Sequence, residues 1–145
     1  MMKKLYINID KNLLECLNAD VRHPLDHALY ETNSSYYLES DSDHQLIINF
    51  GFTCPIKLHH LIFRAPNDNS RPKIVKLFVN KKAMNFSECE NENATQDFVL
   101  NDNDFKGETL TKFVKFQSVK TLTVIYNIKW KGGGGNNLKI KKKPF

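Results

Sequence analysis

Cysteine is scarce in this chain and badly placed for cross-linking. Cys16, Cys54 and Cys89 are odd in number, far apart and without a C-x-x-C pair. That pattern excludes a disulfide framework and a zinc knuckle and suits a reducing compartment. A buried structural thiol is the expected state of each. Also missing is any apolar run near the roughly 20 residues that a membrane-spanning helix needs, so no membrane partner is expected. The opening "MMKKLYINIDKNLLECL" starts with lysines, but Asn8, Asp10 and Lys11 interrupt it before a signal-type apolar segment develops. The expected location is the cytoplasm, with the nucleus open to it as well.

Local catalytic signatures are absent too. There is no G-x-S-x-G, no H-E-x-x-H and no G-x-x-x-x-G-K, so neither an enzyme nor a cofactor is expected. A basic body is likewise lacking, despite a formal charge of +5. Six of the 21 Lys and Arg residues are Lys129, Lys131, Lys139, Lys141, Lys142 and Lys143, which leaves fifteen against 16 acids before Lys129. Phosphate tracking needs basic residues across a folded face, so a nucleic-acid partner is not expected. Phe113, Lys115 and Phe116 with Lys112 and Lys120 have the look of a stacking platform for single strands. Core strand residues with lysines on the wet face explain the same pattern.

What is present suits one folded domain. At 145 residues, 41% hydrophobic and with ten phenylalanines, the chain can bury about two-thirds of its unfolded surface. "NLLECLN" carries Asn12 three residues before Glu15, an imperfect capping box, with Leu13, Leu14 and Leu17 on one stripe, and predicts a short helix. Pro24 is expected at the first position of a second helical turn. From Tyr36 the texture changes to strands, predicted at 45–52, 56–64, 74–80, 96–100, 111–117 and 121–128 and divided by "TCP", "APNDNSRP", "NENA", "NDNDFKGE" and "SVK". Only the first helices precede the series. Strands without intervening helices exclude a doubly wound sheet and favour an antiparallel sandwich or jelly roll. Val75, Leu77 and Val79 alternate with Lys76, as one buried face requires. "GGGGNN" at 132–137 reads as a flexible, low-complexity segment.

"YYLESDSDHQLIINF" crowds Glu39, Asp41, Asp43 and His44 before an apolar run. Calcium wants six to eight oxygens, roughly, and this segment lacks the glycine and spaced final ligand of an EF-hand loop. The plainer reading is a solvated strand entry in which Ser40, Asp41, Ser42 and Asp43 bond local backbone N–H groups. His59 and His60, adjacent in a strand, point to opposite faces and form no single site.

"LLECLNAD…HPLDHAL", "YLESDSDHQLIINFGF…PIKLHHLIFRAP", "RPKIVKLFVN", "MNF" and "GETLTKFVKFQSVKTLTV" follow one another as in the PITH domain, the proteasome-interacting thioredoxin domain family, which this chain resembles over about residues 11–128. The similarity is greatest to the form that follows a thioredoxin domain in thioredoxin-like proteins. It implies an all-β jelly-roll sandwich, galactose-binding-like; the short N-terminal helical segment read from the residues opens it, and a 1–10 extension and a Gly/Lys-rich tail at 129–145 lie outside the match. It also implies a non-catalytic module that binds the 26S proteasome through its regulatory particle, with a separate thioredoxin-type protein as a further partner. "ESDSD" corresponds to one of the family's most recognisable segments, which makes Glu39, Asp41 and Asp43 candidates for a structural turn or for partner contact. No thioredoxin domain precedes the match in this sequence, so reductase activity is not carried over. Where the family closes with a further strand this chain has "KWKGGGGNNLKIKKKPF", and an open sheet edge results if "NLKIKK" does not supply that strand. Around "MNFSECE", Asn85 and Ser87 stand where related sequences are richer in aspartate.

Two other function classes compete with the interaction module. One is a carbohydrate or small-ligand-binding module, which rests on fold analogy alone. The other is a thiol redox protein, which needs an accessible cysteine with a depressed pKa, and no such setting surrounds the three cysteines.

Overall fold

Two segments are apolar enough to be buried on both faces, and they pair at the centre of the computed structural model, which describes residues 8–30, 35–128 and 138–141. They are β3 (Gln45–Ile56) and β8 (Val119–Asn127), antiparallel, with Leu46 opposite Tyr126, Ile48 opposite Val124 and Phe50 opposite Leu122. β5 (Ile74–Val79) pairs with the far side of β8, β6 (Gln96–Val99) with β5, and β1 (Glu15–Leu17) with β3. The five-stranded order is therefore β1-β3-β8-β5-β6.

Side chains along a strand alternate between faces. Leu46, Ile48, Phe50, Val75, Leu77, Val124 and Tyr126 thus meet in the main core, while Ile47, Phe78 and Ile125 meet Met84 and Cys89 on the reverse face. Each fully buried aliphatic or aromatic side chain contributes about 1.5–3 kcal/mol. A broken second layer closes the main core. It consists of β2 (Leu38–Glu39) against β9 (Lys139–Ile140) and β4 (His60–Leu61) against β7 (Thr109–Leu110), with a bridge from Arg64 to Lys141. Leu38, Leu61, Phe63, Phe116 and Leu138 bring its apolar side into the core. Lys139–Ile140 is the part of "NLKIKK" that pairs as a strand. The segment 132–137 and Lys129, Lys131, Lys142 and Lys143 lie outside the described residues.

Several elements differ from the sequence expectation. "NLLECLN" is not a helix. Lys11–Leu13 forms one 3-10 turn, whose first N–H groups are capped by Asp10 accepting from Asn12 N at 2.9 Å, and Glu15–Leu17 is strand. Leucine and glutamate favour helix intrinsically, but Cys16 packs on the main core and Leu17 on the reverse cluster, a period of two that the ladder to β3 rewards. Gly51 permits the turn to sit this close, since a Cβ there would lie 2.5 Å from Leu13 Cβ. The next helix, α1 (Asp26–Leu29), starts after Pro24 rather than at it, and the proline carbonyl accepts from His27 N–H at 3.0 Å.

The expected break at "TCP" is a register shift inside β3 between Gly51 and Ile56. Of the expected strand at 56–64, Ile56 ends β3 and His60–Leu61 forms β4. At 111–117 the chain makes a 3-10 turn, Phe113–Lys115. Buried Phe116 anchors it, and the Thr111 hydroxyl donates to the Leu58 carbonyl at 2.6 Å, so one side chain and one hydroxyl replace a ladder. "SVK" is no full break either, because β8 begins at Val119.

A helix also stands inside the strand series. α2 (Phe86–Asn91) is opened by a reciprocal capping box in which Asn85 Oδ1 accepts from Glu88 N and Glu88 Oε1 accepts from Asn85 N, at 2.9 and 3.1 Å. The reverse face of β5, expected to be wet from Lys76, buries Phe78 beside this helix.

Asn49 ties the reverse face together. Buried among apolar neighbours, it donates to Glu15 Oε1 at 3.0 Å and to the Met84 carbonyl at 3.1 Å, and accepts from Met84 N at 3.2 Å and from the Thr123 hydroxyl at 2.5 Å. Both amide donors and the carbonyl oxygen are used. Asn49→Leu strands three buried partners, and the expected loss is about 2–4 kcal/mol in urea unfolding, whereas Asn85→Ala, which removes only the exposed cap, costs about 1 kcal/mol.

Candidate functional site

The acidic turn is built on Asn18. This residue adopts a left-handed conformation, φ 73°, which asparagine tolerates better than most side chains. From there its carbonyl accepts from Asp41 N at 2.8 Å and its Oδ1 from Ser42 N at 3.2 Å. Its amide donates to Asp43 Oδ1 at 2.7 Å and to the Gln45 carbonyl at 2.8 Å. One residue, through its main-chain carbonyl and its side-chain amide, thus holds the turn from 41 to 45 across the sheet edge.

Ser40 fixes the inner side. It is fully buried, its hydroxyl donates to the Asp43 carbonyl and accepts from Leu138 N at 2.8 Å, and its own N–H donates to the Leu138 carbonyl at 2.9 Å. Glu39, in β2, faces His23 with Oε2 3.8 Å from Nε2, an ion pair when the imidazole is protonated. The His23 ring stacks on Tyr37 at 4.2 Å, and Lys139 Nζ lies 4.9 Å from the centre of that tyrosine ring.

The three carboxylates picked out in the sequence therefore lie together at one end of the sandwich but do not converge. Asp43 is bound into the turn, Glu39 is half-buried against His23, and Asp41 is exposed, with Oδ2 accepting from the Ser42 hydroxyl at 3.3 Å. Among the described residues no three His, Cys, Asp or Glu side chains are grouped to hold a metal ion. His59 is exposed and His60 half-buried, the latter 3.7 Å from Glu108.

Asp20 belongs to the same end and sequence reading missed it. Its N–H donates to the Glu39 carbonyl at 2.8 Å, and its carboxylate accepts from Arg22 N at 2.8 Å and Arg22 Nη2 at 3.0 Å. Those Arg22 hydrogen bonds, followed by the Arg22 charge, hold the carboxyl below the usual carboxylate range. Val21 beside it is 92% exposed. Asn18, the clamp, was missed because its partners lie 24 to 27 residues away, beyond any local pattern. The spacing Asp20-x-Arg22 was the only local signal.

Cys16 is half-buried and Cys89 buried, but Cys54 is exposed, against the expectation that all three are interior. It sits in the irregular part of β3, where the register shift turns Thr53 to Pro55 outward. Burial, then the Glu15 carboxylate, pushes the Cys16 thiol up to about 12, and burial, then Glu88, pushes Cys89 to about 11.

This all-β sandwich is the galactose-binding-like jelly roll. The C-terminal domain of a chitobiase from Bacteroides fragilis superposes with a TM-score of 0.63 at 14% identity, covering 97% of this chain and 94% of that one. The family 32 CBM from C. perfringens NanJ, solved in complex with galactose, gives 0.61 at 11% identity over 89% and 88%. At such identities the likeness is one of fold. Sequence places the chain more narrowly: it belongs to the PITH domain family, whose model matches residues 1–142. A PITH domain-containing protein of Drosophila melanogaster is 37% identical over 84% of this chain and 60% of its own length. PITH domain-containing protein 1 of Homo sapiens is 34% identical over 83% and 59%, and thioredoxin-like protein 1 of Schizosaccharomyces pombe 34% over 80% and 42%. The chain thus spans about 60% or less of the length of these relatives.

Two outcomes follow from these environments. Iodoacetamide on the native protein modifies Cys54 alone, and all three cysteines react in denaturant, as intact mass shows; native labelling of Cys16 or Cys89 contradicts their burial. Asp20 binds its proton more weakly folded than unfolded, so its stabilisation is present above about pH 4 and fades as pH falls through the lowered folded value. Melting curves of Asp20→Asn then lie below wild type at neutral pH and approach it in acid.

Proposed function

We propose that this PITH domain is a non-catalytic interaction module whose acidic end docks on the regulatory particle of the 26S proteasome, in the cytoplasm and the nucleus. The observation that carries this reading is the Asn18 clamp, which holds Asp41 and Asp43 in place before any partner arrives. A prefixed turn loses little conformational entropy on docking. Exposed carboxylates there, with Val21 as an apolar neighbour, offer charge complementarity for orientation and a contact that excludes water.

Co-sedimentation of the chain with intact 26S proteasome at low salt tests this. Wild type is expected to pellet, and Asp41→Asn/Asp43→Asn to bind about three- to tenfold more weakly, the size of two exposed charge pairs, with its melting temperature recorded alongside to separate contact from folding. Absence of wild-type binding overturns the reading. A rise in melting temperature with millimolar galactose would then favour the small-ligand module instead.

A further inference from the structure

The opposite end of the sheet carries a surface of different chemistry. Gln45, next to the acidic turn, begins β3, and Ile56, paired with Val119, ends it, a span of about 35–40 Å at the usual strand rise. Just beyond, the Phe113–Lys115 turn presents Val114 with 84% of its surface exposed, and Leu110, on β7 before it, with 72%.

This turn cannot rearrange cheaply to hide Val114. Thr111 N–H donates to the His59 carbonyl at 2.9 Å, Lys112 N–H to Gln96 Oε1 at 2.7 Å and Leu58 N–H to the Phe116 carbonyl at 2.9 Å, while Phe116 is fully buried. The His59 ring lies flat on Phe113 at 3.8 Å. Exposed Lys57, Lys112 and Lys115 surround the turn, and among the described residues none of the three pairs with a carboxylate. Glu108, the acid nearest in sequence, is 3.7 Å from His60.

We infer that this end of the sandwich is a second docking surface, which takes a segment of a partner protein whose apolar side chains are flanked by carboxylates. Isolated exposed apolar residues are ordinary on a surface. Here they sit on an anchored turn among ammonium groups that no carboxylate neutralises among the described residues, Lys115 Nζ donating only to the Thr95 carbonyl at 3.4 Å, and the complementary ligand must supply both apolar contact and negative charge. A nucleic-acid strand fits less well, because Phe116 is interior and one face of Phe113 is taken by His59, so the two phenylalanines do not form a continuous platform for bases. The surface is independent of the acidic end, so its failure and that of the proteasome reading are separable.

Fluorescence anisotropy of a fluorescein-labelled peptide alternating aspartate with leucine and phenylalanine, titrated with the full chain, tests the inference. Saturable binding is expected, weakened about tenfold in Val114→Asp and in Lys112→Glu and unchanged in Lys73→Glu, a charge reversal at the other end of the sheet. Amide shift changes in 15N-labelled protein should centre on His59 and 110–115. Should Val114→Asp fail to fold, Lys112→Glu carries the same comparison. No binding, equal binding by wild type and both patch variants, shifts centred elsewhere, or preference for a labelled single-stranded oligonucleotide over the peptide overturns it.

Discussion

The pairing of β3 with β8 supports everything else in this domain. Seven consecutive registered pairs, Gln45–Asn127 through Gly51–Thr121, join two strands whose side chains are buried on both faces. A slip of one residue turns every side chain of a strand to the opposite face, and here it would exchange the residues of the main core with those of the reverse cluster, which differ in size and shape. The main core needs Leu46, Ile48 and Phe50 in position, and the reverse cluster needs Ile47. β1 pairs directly with β3 and β5 with β8, and β6 joins through β5.

Polar side chains do the positioning at the margins. Asn49 sits on the reverse face of β3 and receives the segment leading to α2, while Asn18 and Ser40 hold the turn that enters the same strand. Asn80, like Asn18 left-handed with φ 58°, accepts from Lys120 N at 2.7 Å and donates to the Ser118 carbonyl at 3.0 Å, pinning the entry to β8. In each case a short amide or hydroxyl satisfies backbone groups that would otherwise be orphaned where the ladder stops. The consequence for function is that both ends of the sandwich present rigid turns, one acidic around Asp41 and one lysine-rich around Val114.

Strand content, antiparallel architecture and the family were legible in the sequence. β5, β6 and β8 fall within two residues of their expected bounds, because Val, Ile and Phe runs between polar clusters have few other uses. The helix expected at "NLLECLN" failed for a reason that no local rule contains. Its periodicity suits a helix and equally a half-buried strand, and the choice was made by the free edge of β3. The turn at Phe113–Lys115 failed in the same way, since lysine and phenylalanine alternate there for an anchored turn as they do for a strand.

The candidate site divides along the same line. Glu39, Asp41 and Asp43 stand out in the sequence because carboxylates cluster before an apolar run, and Cys16, Cys54 and Cys89 announce an uncrosslinked protein by number and spacing. Asn18, Asp20 and Arg22 do not stand out, since what makes them part of the site is contact across the chain. Composition and local pattern determined that this protein is an antiparallel β-sandwich with an acidic segment before a buried strand, because burial and turn chemistry act residue by residue, while the ordered motifs carried its resemblance to the PITH family. Only the tertiary structure decided which carboxylates are held and which face solvent, because that depends on hydrogen bonds and charges brought together by folding.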